Sequence, residues 1–381
     1  MKHWDVIVLG LGGVGSSACW HLARSGLSVL GIDQHPAGHH FGSSHGQTRI
    51  VRQAYFEGVS YVPLLKRSYE IWDELNQHVS EELFVRCGLL QIGPSDGVVV
   101  PGVLSSAETH ALPVVTYGSE ELKRLWPGIC CASDDVGVFE SNAGFVHVER
   151  AVVTQLELAK SEGAELVHGV RVVGWEDGSD GVSIFLDDEK HNARQLVLAL
   201  GPWSSSWLDG LLGFKIRVLR KYLYWFESLP GRMQLTAGTP CFFHETPRGY
   251  FYGFPEIDSL GVKIAMHSGG ELVEQPEKSD REGVQRGEDF EECLRYAGSY
   301  LPGLKRRLQR QEVCYYSMTP DESFIFGRLK EHSRVIVAAG LSGHGFKFTP
   351  VLGELIARMA NYQELNFDLA PFSPSRLIAS E

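Results

Sequence analysis

The first residues that could do chemistry are glycines near the N-terminal end of the chain. Gly10, Gly12 and Gly15 form a Gly-x-Gly-x-x-Gly motif directly after the apolar run 4–9. Glycines at these positions allow a tight turn, bring a pyrophosphate close to the backbone and let a helix pack closely on a strand. Asp33 ends the next apolar run, where its carboxylate would bind a ribose hydroxyl and repel the 2′-phosphate of NADP. The spacing predicts a dinucleotide site for NAD or FAD.

A second glycine-rich loop occupies residues 340–345, between the apolar run 335–339 and a helix expected to begin at Thr349, its predicted N-cap, with Pro350 in the first turn. A helix N-terminus stabilises negative charge, as a flavin ring oxygen acquires on reduction. This loop comes late in the chain, and a further glycine-containing turn lies at 201–203. Both features favour FAD over NAD.

Three other segments combine cations with a thiol. Residues 42–52 read Gly-Ser-Ser-His-Gly-Gln-Thr-Arg-Ile-Val-Arg, residues 314–316 read Cys-Tyr-Tyr and residues 340–348 read Gly-Leu-Ser-Gly-His-Gly-Phe-Lys-Phe. This combination resembles the monomeric sarcosine oxidase and N-methyltryptophan oxidase family of amine-oxidising flavoproteins. The similarity extends over nearly the whole chain, through residues 368–372.

The resemblance implies a role for each matching residue. Cys314 would form a thioether with FAD, and Lys263 would help oxygen to accept electrons. Arg52 and Lys347 would bind the substrate carboxylate, Arg through a bidentate fork and Lys as a point charge. The residues implied to act in catalysis are Lys263, His45, Arg49, His267 and Tyr316. The residues implied to bind the substrate are Arg52, Lys347, Tyr252 and Phe243.

The same resemblance implies a set of residues that contact the cofactor. They are Gly10, Gly12, Gly15, Asp33, Ser43, Thr48, Val172, Gly201, Trp203, Cys314, Gly343, Gly345 and Lys347. Phe243 departs from the family pattern, because the sarcosine enzymes have a methionine there, and Tyr315 also replaces a methionine. The size of the substrate therefore stays open.

The implied activity is FAD-dependent oxidation of an N-methyl amino acid, sarcosine-like or N-methyltryptophan-like, with O2 reduced to H2O2 and the imine hydrolysed to formaldehyde and the amino acid. One alternative is a related glycine, D-amino-acid or cyclic (pipecolate-like) imino-acid oxidase with non-covalent FAD, which Cys314 disfavours. A non-catalytic FAD-binding protein would not need Lys263, Arg52 and Lys347 together. An NAD reductase would not need the two late glycine turns.

Strands and helices alternate at both ends of the chain, with aromatic-rich strands such as 249–254 between them. This order predicts a Rossmann-type α/β FAD-binding domain assembled from 1–85, 145–215 and 318–381. An α+β substrate domain with an antiparallel sheet is expected from 86–144 and 216–317.

Individual elements follow from hydrophobic spacing. Helices are predicted at 13–24 and 61–75, and a strand at 335–339. Residues 84–145 are expected to form short strands and one polar helix near 120–126. The charged stretch 271–292 is expected to be an exposed loop that leads into a helix.

The resemblance implies an amino-acid substrate and O2 as partners, and composition argues against others. The formal net charge of −12, from 47 acidic and 35 basic residues, disfavours nucleic-acid and anionic-membrane binding, and no apolar run approaches the ~20 residues of a membrane span. Seven cysteines without metal-ligand spacing indicate reduced thiols and no metal site. The chain opens directly into a strand, so a cytoplasmic protein is expected, and the resemblance suggests a monomer.

Overall fold

The computed structural model of the chain describes residues 3–187, 189–276 and 287–377. Within these ranges the strands are, in chain order, β1 (His3–Leu9), β2 (Val29–Asp33), β3 (Thr48–Val51), β4 (Phe84–Val85), β5 (Leu89–Pro94), β6 (Val115–Gly118), β7 (Asp135–Glu140), β8 (Gly144–His147), β9 (Glu165–His168), β10 (Gly174–Gly178), β11 (Gly181–Phe185), β12 (Lys190–Leu198), β13 (Arg217–Ser228), β14 (Cys241–Thr246), β15 (Gly249–Phe254), β16 (Val262–Met266), β17 (Glu271–Val273), β18 (Leu304–Met318), β19 (Ile325–Arg328) and β20 (Val335–Ala339). The helices are α1 (Gly13–Arg24), α2 (Val62–Asn76), α3 (Val99–His110), α4 (Ser119–Leu125), α5 (Val148–Ser161), α6 (Ser204–Trp207), α7 (Glu288–Tyr300) and α8 (Thr349–Ala360).

An eight-stranded sheet carries the dinucleotide motif. Its order is β10-β11-β12-β1-β2-β9, with β20 paired to β12 and β19 to β20. The central pairs β12-β1, β1-β2, β2-β9 and β12-β20 are parallel. Alternate residues of β1 enter different apolar clusters, Val6 and Val8 on one face and Ile7 and Leu9 on the other. This two-sided burial explains the continuous apolar run.

A nine-stranded sheet forms the second layer of the fold, in the order β17-β13-β16-β15-β14-β5-β7-β6 with β18 paired to β13. Its pairs are antiparallel except for β14-β5, which is parallel. A small antiparallel sheet, β3-β8-β4, carries residues 48–51. The mixed α/β fold with a separate antiparallel sheet is confirmed. The domain boundaries at residues 86, 145, 216 and 318 stay a prediction.

The predicted α1, α2 and β20 are confirmed, but the prediction for residues 84–145 missed α3. Val99, Val100, Pro101 and Gly102 are poor helix formers, which explains the omission. The helix is stabilised by a residue far away in the sequence: the Glu245 carboxylate accepts hydrogen bonds from the backbone N–H groups of Val98 and Val99 at 2.7–3.0 Å.

Two further expectations need correction. Thr349 is the first residue of α8 and not its N-cap; the N-cap is Phe348, which offers no side-chain hydrogen bond. The stretch 271–292 begins with β17, which pairs with β13, and ends in α7, while residues 277–286 lie outside the described residues. In the part of the chain that the structure describes, no helix is long and apolar enough to cross a membrane.

Candidate active site

One cavity of about 390 Å³ collects residues from all three sheets, and ligand sites typically have volumes of about 300–1,000 Å³. Part of its wall, the glycine end, comprises the turn after β1 with Asp33 and the segments 170–173 and 199–203. Another part, the cation end, comprises Arg49, Arg52, Lys347 and the aromatic residues around them.

Backbone packing shapes the glycine end. Gly10 has a φ of +87°, and a Cβ there would lie 2.4 Å from the Ala199 carbonyl oxygen. A Cβ on Gly15 would lie 1.7 Å from the Gly10 oxygen. Gly12, the N-cap of α1, offers no side-chain hydrogen bond, and the first turn contains no acidic residue. The Ser44 hydroxyl accepts the Gly13 N–H at 3.0 Å. This helix N-terminus, on the cavity wall at Gly12 and Gly13, favours an anionic group.

The Asp33 carboxylate is held at the end of β2. It accepts the backbone N–H groups of Leu11 at 2.7 Å and His35 at 2.8 Å, and the His39 ring lies 3.8 Å away. Burial opposes ionisation of Asp33, yet the nearby His39 ring and the hydrogen bonds from the Leu11 and His35 N–H groups hold its pKa below the usual value. Asp33 is therefore a charged acceptor on the cavity wall, as a ribose hydroxyl requires.

Two unpartnered polar atoms support the fit of a dinucleotide. Among the described residues, Trp203 Nε1 and Thr349 Oγ1 are buried without a hydrogen-bond partner, and both residues line the cavity. Buried polar groups are normally satisfied, so a donor and a hydroxyl on this wall indicate a bound polar group. With the glycine turn and Asp33, they fit FAD.

At the cation end, Arg52 follows β3 and is almost fully buried, with 3% exposure. Its guanidinium donates to Gln91 Oε1 at 2.6 Å and to both carboxylate oxygens of Glu57 at 2.5 and 2.7 Å. The rings of Tyr55 and Phe56 each lie 4.5 Å from the guanidinium carbon. Arg52 thus already binds a carboxylate through two nitrogen–oxygen contacts.

The turn that places Arg52 depends on a distant carboxylate. Glu140, at the end of β7, accepts the backbone N–H groups of Gln53 at 2.9 Å and Ala54 at 3.0 Å. Burial raises the pKa of Glu140. Gln91 adds a second support, because its Nε2 donates to the Ala54 carbonyl while its Oε1 accepts from Arg52.

Lys347 is the second buried cation of the cavity wall. Its Nζ donates to the His344 carbonyl at 2.7 Å and lies 5.1 Å from the centre of the Tyr55 ring. Burial, reinforced by the positive charge of Arg52, lowers the pKa of Lys347 to about 7. The lysine is therefore poised between charged and neutral forms near neutral pH.

The neighbouring ring groups stay neutral. Burial lowers the pKa of His267 to about 3, raises the pKa of Tyr252 to about 12 and raises that of Tyr316 well above its usual value. His267 Nδ1 lies 3.2 Å from the Tyr316 hydroxyl oxygen. Phe243 packs against His267 with ring centres 5.6 Å apart. Cations and neutral aromatic groups on one wall suit an amino acid whose carboxylate is bound and whose amine is shielded from water.

Arg49, on β3, connects the two parts of the wall. Its guanidinium donates to the carbonyls of Thr48 at 2.8 Å and Ser43 at 2.9 Å, and to Cys314 Sγ at 3.2 Å. Cys314 is buried on β18 and also lines the cavity. The Cys314 sulfur thus lies on the cavity wall with a fixed guanidinium beside it.

His45 and Lys263 lie behind this wall. His45 Nδ1 is 3.2 Å from Glu312 Oε2, and burial lowers the pKa of His45. Lys263 Nζ donates to the carbonyls of Gly46 at 2.6 Å and Thr48 at 2.8 Å. Burial and the nearby Arg49 lower the pKa of Lys263 well below its usual value.

Most of the residues that the sequence predicts for the site meet on this cavity wall. The described lining contains Arg49, Arg52, Phe243, Tyr252, His267, Tyr316, Lys347, Gly10, Gly12, Asp33, Ser43, Val172, Gly201, Trp203, Cys314, Gly343 and Gly345. It does not contain Gly15, His45, Thr48 or Lys263. These four residues would therefore act through the residues that line the cavity.

Sequence reasoning missed three residues of the cation end. Glu57 and His344 line the cavity, and Gln91 holds Arg52 from behind. The sequence could have identified His344 as a site residue, since it lies in the glycine-rich loop 340–345. No sequence pattern marks Glu57 and Gln91, because their partners are recognisable only after the chain has folded.

Comparisons with known proteins agree with this geometry. A model of the family described as FAD dependent oxidoreductase matches residues 5–359. The chain is 35% identical over 376 residues to monomeric sarcosine oxidase of Bacillus sp. (strain B-0618), covering 98% of this chain and 96% of that protein. It is 36% identical over 376 residues to N-methyl-L-tryptophan oxidase of Escherichia coli (strain K12 / DH10B), covering 98% and 99%. The open form of NikD, an unusual amino acid oxidase essential for nikkomycin biosynthesis, shares the fold with a TM-score of 0.85 and 21% identity over 100% of both chains.

Proposed function

Because the chain belongs to the FAD-dependent oxidoreductase family and is a flavin-dependent amine oxidase, we propose that it oxidises the secondary amine of an N-methyl amino acid. The methyl carbon leaves as formaldehyde after hydrolysis of the imine, the amino acid is released and O2 is reduced to H2O2. The observation that carries the proposal is the joint placement of Arg52 and Lys347 on one buried wall with the neutral His267.

The carboxylate is the first group that this wall would select. Glu57 accepts both of its contacts from Nη2 of Arg52, so an incoming carboxylate would take over contacts that the site already makes with an acidic side chain. Lys347 lies beside them with a pKa of about 7, and a bound anion favours its charged form. A substrate without a carboxylate would leave Arg52 with Glu57 and Lys347 with only the His344 carbonyl. It would forgo charge-assisted hydrogen bonds that contribute about 1.5–3 kcal/mol.

The amine would be handled by the neutral part of the wall. FAD supplies an acceptor for two electrons and passes them on to O2. Arg49, Arg52 and Lys347 disfavour a positively charged amine nearby, which promotes its deprotonation. His267, neutral at physiological pH because burial lowers its pKa to about 3, can accept a hydrogen bond from the amine. Phe243 and Tyr252 exclude water and limit the size of the side chain.

The N-methyl class is supported by the relatives named above, a sarcosine oxidase and an N-methyl-L-tryptophan oxidase. The decisive experiment is a substrate panel scored by H2O2 and formaldehyde release. Sarcosine and N-methyltryptophan represent the proposed class, with glycine, D-alanine and pipecolate for the alternatives. Formaldehyde together with H2O2 is expected only from the first two. Turnover of glycine, D-alanine or pipecolate alone would replace the proposal with that alternative, and no turnover at all would contradict it.

Covalent attachment of FAD through Cys314 is a second part of the proposal. Support comes from the placement of Cys314 Sγ on the cavity wall, 3.2 Å from the Arg49 guanidinium. Acid precipitation of the wild type should leave the yellow colour in the pellet, whereas Cys314→Ser should release all flavin into the supernatant. Cys19→Ser, at another buried cysteine, is the matched control and should retain the colour. Free FAD from the wild type would show that the attachment does not form.

A further inference from the structure

Two cysteines that the proposed reaction does not use lie side by side. Cys87 precedes β5 and is half-buried, and Cys241 begins β14 and is fully buried. Their sulfur atoms are 3.7 Å apart. The strands are already joined at this point, because the Cys241 N–H donates to the Gly88 carbonyl at 3.1 Å and Cys241 is opposite Leu89 in the parallel ladder. A disulfide needs a sulfur–sulfur distance of about 2.05 Å, so little backbone movement separates the dithiol from the bonded form.

The two thiols differ in a way that suits stepwise oxidation. The hydrogen bond from Cys241 lowers the pKa of Cys87, whereas burial raises the pKa of Cys241. The thiolate is the form that attacks an oxidant. Cys87 is also the more exposed of the two, so it is the sulfur that a small oxidant reaches first, with Cys241 in place to resolve the product.

We propose that Cys87 and Cys241 are a redox modification site: hydrogen peroxide converts them to a reversible disulfide that weakens substrate binding. The Cys87 thiolate attacks one peroxide oxygen, the O–O bond breaks, and Cys87 sulfenic acid and water form. Cys241 sulfur then attacks the Cys87 sulfur, the S–O bond breaks and a second water leaves. The two thiols lose two electrons and their two protons, and one H2O2 becomes two H2O.

The disulfide would act on the cation end through the β5-β14 ladder. Two residues beyond the Cys241–Leu89 position, Phe243 is opposite Gln91. Phe243 lines the cavity and Gln91 accepts the hydrogen bond from Arg52. Closing the sulfur–sulfur distance from 3.7 Å to about 2.05 Å would pass a small shift along this ladder to Phe243 and Gln91. Because Gln91 helps to hold Arg52 and a site is sensitive to shifts of about 1 Å, we expect a KM increase of at least about twofold.

The chemical test uses the holoenzyme, reduced with dithiothreitol, desalted and treated with added H2O2. Peptide mass spectrometry without reduction should find residues 87 and 241 linked, with two thiols lost and both regained on reduction. Cys87→Ser should show no link, and so should Cys241→Ala, a second variant in case the first is poorly folded. Cys130→Ser, which removes another half-buried thiol, should link as the wild type does. Unlinked wild type, or Cys87 oxidised to sulfinic acid instead, would overturn the site.

A kinetic test decides whether the disulfide weakens substrate binding. KM is measured for the oxidised and re-reduced wild type and for Cys87→Ser after the same treatments. KM should be higher in the oxidised wild type only, and an equal KM in both wild-type forms would overturn the effect on binding.

That H2O2 from turnover is the natural oxidant rests on the proposed function. Linking during turnover should be prevented by catalase. If turnover yields no H2O2 while added H2O2 still links the cysteines, the proposed function fails and the modification site stands. If turnover yields H2O2 without linking, the enzyme's own product is not the oxidant.

Discussion

At the glycine end of the cavity a glycine turn brings the backbone to the wall beside Asp33, whereas the cation end is built from charged and aromatic side chains. At the glycine end, the turn 10–15 lies between β1 and α1 and Asp33 ends the next strand, and the fold brings the segments 170–173 and 199–203 beside them. The cation end brings together Arg52, Phe243, His267 and Lys347, which are up to 295 residues apart in the chain, as their numbers show.

This difference separates two kinds of mutational effect. A side chain added at Gly10 or Gly15 would meet backbone oxygen atoms that cannot move away, so folding and cofactor retention should fail together. A charge removed at the cation end leaves a cavity of the same shape, so binding and rate should change while the fold persists. Four substitutions or titrations, taken from the largest expected effect to the smallest, test this division.

Gly15→Ala should give the largest effect, loss of folded, flavin-containing protein. The new Cβ would lie 1.7 Å from the Gly10 carbonyl oxygen, and overpacking of this kind costs about 1–3 kcal/mol or more. The measurements are flavin content and thermal melting. Gly174→Ala is the matched control, since a Cβ added at that position would meet none of the described atoms within 4 Å. A yellow Gly15→Ala protein with the wild-type melting temperature would show that this turn tolerates a side chain.

Lys263→Met should slow reoxidation by O2 by about 10²–10³-fold, the usual cost of removing one electrostatic stabiliser. Lys263 lies behind the wall, bonded to Gly46 and Thr48. Burial lowers its pKa, but negative charge developing on oxygen would favour its protonated form. Stopped-flow spectroscopy measures anaerobic bleaching by substrate and recovery of colour in oxygen on one sample. Bleaching should change far less than recovery. Equal slowing of both steps would assign Lys263 an organising role only.

Arg52→Met should lower kcat/KM by roughly ten- to hundredfold, because hydrogen bonds to charged groups contribute about 1.5–3 kcal/mol. Steady-state kinetics measures the change. Arg86→Met is the control: Arg86 also stacks on a ring, Phe84, and pairs with Asp73, but it does not line the described cavity. If both variants keep wild-type kinetics, Arg52 does not bind the carboxylate.

The smallest effect concerns pH. The pKa of Lys347 is lowered to about 7, so its ammonium is present below that pH and is lost as pH rises through it. A simple carboxylate such as acetate, which carries no amine of its own, should therefore bind more weakly at high pH. Its inhibition constant should rise by about tenfold from pH 6 to pH 9. Lys347→Met should remove most of this dependence. A wild-type constant that is flat with pH would mean that Lys347 does not contact the anion.

Much of the glycine end could be predicted from the sequence because its determinants are local. The glycine spacing, the apolar runs and Asp33 predicted β1, α1 and β2 from neighbouring residues. The segments 42–52 and 340–348 likewise identified the family, because each is a contiguous motif.

Only the tertiary structure decided the partners that distant segments provide. Glu245 caps α3 from 146 residues away, which local propensity cannot reveal. Glu57 and Gln91 became part of the cation end only when Arg52 was placed between them, and Cys87 met Cys241 only through the β5-β14 pairing. Hydrophobic period and glycine geometry act between near neighbours and can be inferred from residue order. Hydrogen bonds and thiol contacts between far segments depend on strand order and register, which are properties of the folded chain.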